Sequence, residues 1–417
     1  MRLVELLFSV TLFADGQGLA AEQLDLTQCL AEARANNPDL RAGSSEVEKA
    51  HYQIDEARSA FRPQVSAKAE ATHANVSAPA ISGEQYSYGI SVSQSLFAGF
   101  RDEATLQQRE DVSVATQARQ EQVAAQVAYE TRTTFVEQLY AQQLIEVQRT
   151  AAARRRENVR LVILRFNGGR ENKGAVLKSE ATSGLANVEE NQAVRQLEVA
   201  RGKLARALGR RSLGDALVKG DLNPSAVAVP TDLAAIIAET PAHREAQASL
   251  SAAKAAVKAA YAANYPDLSA FASATRSGKW PPEDTRFAVG LSVTVPLYSG
   301  GAQTARVRTV TAESAKVEAN VQSSDLSAQS DLLVALTEVQ NAKERANAQA
   351  DILGAAKLQA EIARNQYNLG LITFQEWDLI ESGLIDAERT LLLSRRNAAL
   401  ANAAWNKAQG RGFDEKR

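Results

Sequence analysis

The chain is poor in the residues that build catalytic and metal centres. Its 417 residues include one cysteine, Cys29, and three histidines, His51, His73 and His243. A single thiol makes no intrachain disulfide and no thiolate metal site. The three imidazoles have no helical partner spacing, so they are not expected to ligate a metal or to serve in a triad. No nucleophile–base pair, metal cluster or phosphate loop is legible, which argues against an enzyme and for no cofactor. An excess of one charge sign is also missing: 47 Lys and Arg face 49 Asp and Glu, a net of −2. There is no basic field to hold nucleic acid. Ten prolines and 23 glycines are too few for a loop-rich or disordered chain, and aromatics are only 6%. Past the N-terminus no run of roughly 18 apolar residues occurs, so a helical membrane span is not expected.

Ala, Glu, Gln, Arg and Leu are plentiful instead, the composition of long helices that need not divide into globular units. Residues 1–21 read as a secretory signal. Arg2 is followed by an apolar run from Leu3 to Ala14, broken by Glu5, and then by small residues Gly18, Ala20 and Ala21. Cys29 follows Leu26-Thr27-Gln28, a faint likeness to a lipoprotein acylation box, but Gln28 directly before it points to a packed helix residue.

The chain repeats itself. Ser95-Leu96-Phe97-Ala98-Gly99 matches Pro296-Leu297-Tyr298-Ser299-Gly300 at an offset of 201. Gly89 and Gly290, Phe166-Asn167-Gly168-Gly169 and Tyr367-Asn368-Leu369-Gly370, and Gly209 and Gly410 hold the same offset. Pro38 with Pro241 and Pro63 with Pro266 stand 203 apart, which places two extra residues in a first-half loop between Pro63 and Gly89. The expected division is a first repeat over 22–215 and a second over 216–417, joined where Gly and Pro cluster between Gly209 and Pro230.

Each repeat opens with a helical stretch, Leu26 to Phe61 and Thr231 to Tyr265, ended by Pro63 and Pro266. Period-2 alternation comes next and predicts strands near 63–76, 85–97, 266–277 and 285–297. Val65, Ala67, Ala69 and Ala71 share one face. So do Phe287, Val289, Leu291 and Val293, with Val295 and Leu297 continuing the run. Strands of this length with one apolar and one polar face suit a membrane barrel, and equally two hairpins on a soluble core. Long helices are expected near 102–164 and 302–366, each about 90–100 Å at 1.5 Å per residue. Apolar residues at threes and fours, from Val123 and Val127 to Phe135, Val136, Leu139, Tyr140, Leu144 and Val147, support them. Return helices are expected near 174–208 and 374–408. Four strands cannot close a barrel, for which about eight is the lower limit, so several chains must contribute.

In order, spacing and duplication these features resemble the outer-membrane efflux protein (TolC) family over essentially the whole mature chain. The likeness is carried by Asn37-Pro38-Asp39-Leu40, Arg62-Pro63, Tyr265-Pro266, and the strand-to-helix runs Ser95-Leu96-Phe97-Ala98-Gly99 and Val295-Pro296-Leu297-Tyr298-Ser299-Gly300-Gly301. The hairpin turns Arg165-Phe166-Asn167-Gly168-Gly169 and Gln366-Tyr367-Asn368-Leu369-Gly370 complete it. The resemblance implies a mainly α chain with membrane β: a tandem duplication of two β-hairpins and two long helical hairpins. Such chains trimerise into a 12-stranded outer-membrane β-barrel and a periplasmic α-helical barrel. It implies a homotrimeric exit duct in a Gram-negative outer membrane, contacting its lipid. A periplasmic adaptor (membrane fusion) protein and an inner-membrane pump of RND or ABC type would be its partners. Multidrug or toxic-compound efflux and type I protein secretion are not separated by the sequence. The rival reading is a soluble periplasmic coiled-coil adaptor or scaffold, which should carry one helical hairpin flanked by β-rich domains rather than two in a duplicated frame.

The same resemblance places a closable constriction at the periplasmic tips. Glu376, six residues after Gly370, matches its first acidic position; the second falls on Leu379, with Asp378 and Glu381 beside it. Residues 376, 378 and 379 cannot all point one way on a helix. Three copies of Glu376 on an axis would repel, favouring cation selectivity and raised pKa values. Tyr367 matches the family's gate contact, but its usual partners fall on Ala175 and Ile372. Arg165, Arg170, Glu171 and Lys173 are the alternatives. If the closed state is held otherwise than by the family's lock, Tyr367→Phe should barely change conductance. The turns, Asn167, Gly168, Gly169, Asn368, Leu369, Gly370 and Leu371, are the implied adaptor-docking surface. Arg154-Arg155-Arg156 reads as a solvated run, Trp280-Pro281-Pro282 as an external loop, and Tyr86, Tyr88, Phe287 and Tyr298 as candidates for an aromatic girdle.

Overall fold

The computed structural model describes residues 23–74, 83–223, 230 and 232–413. The expected signal over 1–21 and the two-residue loop insertion, which falls in 75–82, lie outside them. The first half runs β1 (Gln23–Leu24), α1 (Leu26–Asn36), α2 (Pro38–Arg58), β2 (Gln64–Ala74), β3 (Gly83–Phe97), α3 (Arg101–Asn167) and α4 (Lys173–Ala207). After β4 (Leu217–Val218) the series recurs as α5 (Leu233–Glu239), α6 (Pro241–Ala262), β5 (Asp267–Gly278), β6 (Asp284–Thr294), α7 (Ala302–Leu369) and α8 (Phe374–Ala408).

Each opening helical stretch is two helices, not one. Asn37 and Thr240 break the stretch in extended conformation and cap α2 and α6, Asn37 accepting from the Asp39 N–H at 2.8 Å and Thr240 from the His243 N–H at 3.3 Å. Pro38 and Pro241 then occupy the first helical turn, where a missing N–H costs nothing. The buried Asn37 also donates to the Ala207 carbonyl at 3.0 Å, fixing the corner against the end of α4.

The long helices have 67 and 68 residues, about 100 Å each. Both start from a sharp turn in left-handed conformation: Gly99 and Phe100 at φ of 63° and 66°, Gly300 and Gly301 at 65° and 86°. Phe135, Val136, Leu139, Tyr140 and Leu144 are buried as their spacing predicts, in a core with Leu204, Leu208, Leu213 and Leu222. Cys29 is fully buried there on α1. Near the sheet the helices pack in the order α2, α3, α6, α7; beyond it the order is α4, α3, α8, α7. Among the described residues no helix is long and apolar enough to cross a membrane.

The two hairpins join into one antiparallel sheet, β2-β3-β5-β6, with β2 and β6 at its edges. β6 stops at Thr294, short of Val295 and Leu297. Thr294 already pairs with Asp267, the first residue of β5, so no β5 residue lies opposite Val295 or Leu297. Pro296 moreover lacks an N–H to donate. A small parallel pair, β1 with β4, ties the start of the described chain to the inter-repeat segment.

Candidate functional site

The two hairpin turns lie side by side, because Arg165 of α3 reaches across to α7. Its guanidinium donates to the Tyr367 carbonyl at 2.6 Å and to the Asn368 carbonyl at 3.2 Å. Both carbonyls lie in the last turn of α7, where a cation is favoured, and the Tyr367 carbonyl also accepts from the Gly370 N–H at 3.0 Å. The guanidinium also sits 4.5 Å from the centroid of the Tyr367 ring. Tyr367 is fully buried and stacks on Trp377 of α8, with centroids 4.4 Å apart and planes 10° from parallel. Val162, Ala175, Ala363 and Phe374 close the cluster. The Tyr367 hydroxyl donates to Glu171 at 3.0 Å. Of the four alternatives for the gate contact, Arg165 and Glu171 engage Tyr367, while Arg170 and Lys173 face solvent. Burial first, and then the neighbouring Glu171 carboxylate, push the pKa of the Tyr367 hydroxyl far up.

Asn167, Gly168, Gly169, Asn368, Leu369, Gly370 and Leu371 are all exposed at this end. Gly169 and Gly370 adopt φ of 69° and 79°, the left-handed conformation that ends a helix at low cost only in glycine. Leu369 and Leu371 are 75% and 70% exposed, an apolar spot between the turns.

The three carboxylates expected near the constriction do not share a face of α8. Glu376 is exposed, at the third helical position of α8, and closes a capping box with Thr373. Its Oε2 accepts from the Thr373 N–H at 2.9 Å and the Thr373 hydroxyl at 3.0 Å. Within the single chain these bonds hold its pKa below the usual carboxylate value. Thr373-x-x-Glu376 was a legible signal for that box. Asp378 and Glu381 are buried on the other side of the helix. Asp378 is 2.6 Å from Arg155 and 3.1 Å from Lys178, tying α8 to both α3 and α4.

Arg154-Arg155-Arg156 is therefore not a solvated run. Arg154 forms two hydrogen bonds with Glu388, at 2.8 and 3.2 Å, Arg155 is buried against Asp378 and the Ser382 hydroxyl, and only Arg156 is exposed. Arg389 with Glu189 and Gln148, and Arg396 with Glu137, continue the seam up α8. Sequence alone carried no sign of this, since each pair joins residues at least 200 positions apart.

The strand register sorts the sheet into two faces. Val65, Val92, Ala272 and Val289 form one row, and Ala67, Ile90, Ala274 and Phe287 the next. The opposite face carries Ser66, Ser91, Ser273 and Ala288, then Lys68, Gly89, Thr275 and Arg286, then Glu70, Ser87, Ser277 and Asp284. Of the girdle candidates, Tyr86 and Tyr88 stand on the apolar face near the β5–β6 connection, where Trp280 meets Tyr86 edge-on at 5.5 Å. Trp280-Pro281-Pro282 lies in that connection. Phe287 is in the apolar rows, and Tyr298, beyond β6, is 89% exposed.

The profile of the outer membrane efflux protein family matches residues 29–210 and 233–411. The outer membrane efflux protein BepC of Brucella suis biovar 1 is 22% identical over 403 residues, 94% of this chain and 87% of BepC. Nodulation protein T of Rhizobium leguminosarum bv. trifolii is 25% identical over 288 residues, 66% of this chain and 59% of its own length. Among solved structures, CusC superposes with a TM-score of 0.85 at 19% identity, over 93% of this chain and 92% of CusC. VceC of Vibrio cholerae gives 0.81 at 19%, over 93% and 97%.

Proposed function

Because the chain belongs to the outer membrane efflux protein family, whose members are channels in the outer membrane reaching into the periplasm and not enzymes, we propose that it is the exit duct of a tripartite system. It passes cargo from an inner-membrane pump, through a periplasmic adaptor, to the exterior. One observation carries this reading: the described residues form an open-edged strip. Among the described residues the sheet ends in β2 and β6, each paired on one side only, and the helical row ends in α2 and α4 on one side and α7 on the other. Leu177, Leu185, Val188 and Val199 of α4 and Leu333, Ile352, Leu358 and Ile362 of α7 are exposed along those edges. Unpaired strand edges and apolar helix stripes need partners, and copies of the same strip supply both. A homotrimer makes a closed barrel, apolar face to lipid and serine-rich face inward, continued by a helical tube. The soluble adaptor reading is not favoured, since its expected single hairpin between β-rich domains does not fit this strip.

Glu376, exposed at the tips, is the constriction residue in this reading, while Asp378 holds α8 in place through Arg155 and Lys178 and Glu381 is buried. Tyr367 with Arg165 and Glu171 secures the closed tip. The turns from Asn167 to Gly169 and from Asn368 to Leu371 meet the adaptor. The word efflux in the name of the Brucella relative supports an efflux system over protein secretion; the pump, RND or ABC, sets the cargo. The test is single-channel conductance of the purified protein in a planar bilayer beside Glu376→Ala. Small cation-selective currents that lose selectivity in the variant are expected. Currents unchanged by the variant would remove Glu376 from the constriction, and no pore from folded protein would overturn the duct.

A further inference from the structure

Arg276 is the only Lys or Arg on the apolar face of the sheet among the described residues. It is exposed, and among those residues it has no hydrogen-bond or ion-pair partner. The register sets it directly between Tyr88 of β3 and Thr285 of β6. Opposed side chains on neighbouring strands stand about 5 Å apart, so a guanidinium and two hydroxyls project together from one face. The row on the helix side is wholly apolar: Ala67, Ile90, Ala274 and Phe287. On the other side stand Tyr86 and Gly278, with Trp280 against Tyr86. Arg276 thus marks the upper limit of the apolar band, at the end of the sheet remote from α3 and α7.

We propose that Arg276, Tyr88 and Thr285 bind a phosphate group of a lipid headgroup in the outer leaflet of the outer membrane. The inference rests on the duct reading, which makes the apolar face the lipid-facing wall and the strand connections its outer end. A charge facing lipid is tolerated near the interface, where it finds polar partners, far better than at mid-depth. The planar guanidinium fork matches two phosphate oxygens at once, which an ammonium does not. Tyr88 and Thr285 add hydroxyl donors on either side. Tyr88 also presents the apolar body and polar tip that suit a membrane interface. A zwitterionic headgroup pairs its own phosphate with an ammonium, so a headgroup with unmasked phosphates is the better ligand.

The test uses the full-length protein in zwitterionic detergent, titrated with a bis-phosphorylated glucosamine lipid and followed by native mass spectrometry. The same lipid with its phosphates removed, and inorganic phosphate, are run beside it. Wild type should retain the phosphorylated lipid, and Arg276→Gln should weaken it by about tenfold or more. Arg276→Lys should fall between. The Tyr88→Phe, Thr285→Val double variant, which keeps the charge, should lose part of the affinity even if Arg276→Gln fails to fold. Equal binding of the dephosphorylated lipid, equal occupancy by inorganic phosphate, or unchanged binding in Arg276→Gln would overturn the proposal. Bilayer conductance separates the two readings. Pores without phosphate preference sink only this inference, whereas wild-type protein that forms no pore sinks the barrel beneath it.

Discussion

Arg155 on α3 and Asp378 on α8 stand 223 residues apart in the chain and meet as a buried ion pair at 2.6 Å. Lys178 of α4 approaches the other Asp378 oxygen at 3.1 Å, and Ser382 accepts from Arg155 at 2.7 Å. The pair joins the two helical hairpins at the level of the Tyr367 cluster, since Asp378 adjoins Trp377. Removing the carboxylate alone leaves a buried guanidinium without its counter-charge. Asp378→Ala should therefore cost about 3–5 kcal/mol, whereas Arg155→Met with Asp378→Leu should recover most of it. A double-mutant cycle on urea unfolding of the purified protein measures the coupling; additive losses would show that the pair does not bind the hairpins.

The Tyr367 hydroxyl has a partner, Glu171, which argues against a silent Tyr367→Phe. That substitution removes one hydrogen bond to a carboxylate and should loosen the tip by about 1.5–3 kcal/mol, with a small rise in conductance. Arg165→Ala should open it more, because it also strips the cap from the Tyr367 and Asn368 carbonyls. Tyr367→Ala should destabilise by about 3–5 kcal/mol through the cavity beside Trp377. Single-channel conductance ranks the three, and a Tyr367→Phe current at least as large as that of Arg165→Ala would refute the order.

Glu376 titrates below the ordinary carboxylate value of 4.5 because Thr373 hydrogen-bonds its charged form. A depressed folded pKa means that its contribution is present above the unfolded pKa and is lost as pH falls through the folded one. The start of α8 should hold at neutral pH and loosen only in acid below that value. Thr373→Ala removes the bonds, raises the Glu376 pKa, and costs about 0.5–2 kcal/mol of helix stability. Reversal potentials measured against pH should lose cation selectivity at a higher pH in Thr373→Ala than in wild type. Coincident midpoints would mean that the capping box does not set the charge of Glu376.

Tyr367 shows the opposite sign. Its raised folded pKa adds stability that is complete below the unfolded tyrosine value of 10 and is lost at more alkaline pH. Absorbance titration should find one tyrosine that resists ionisation until the tips come apart, and Tyr367→Phe should remove that late component.

Leu371 is 70% exposed between the turns. Leu371→Glu should leave bilayer conductance unchanged and reduce efflux by cells at least severalfold, as a single charge does at the centre of an apolar contact. Normal efflux by this variant would move adaptor docking away from the turns.

The elements were legible because their signals are local. Period 2 marked the strands, the absence of Pro and Gly marked the long helices, and the glycines at 169 and 370 marked their ends. Even so, Pro38 and Pro241 served as landmarks of the repeat and not as helix starts, although Asn37 and Thr240 are ordinary caps. The exposed position of Glu376 agrees with its place near a helix start, and Thr373-x-x-Glu376 carries the local pattern of the box beside it.

Composition, periodicity and the offset of 201 between repeats determined what the chain is made of: two hairpins of strand, two hairpins of helix, and too few strands to close alone. Tertiary structure decided which groups meet. It drew Arg155 out of a charge run into a buried pair with Asp378, chose Glu171 over Arg170 for Tyr367, and paired β3 with β5 so that Arg276 faces outward between two hydroxyls. The physical reason is range. Helix and strand patterns depend on neighbours three or four residues away, while a salt bridge or a strand register between residues about 200 apart depends on how whole helices and strands pack.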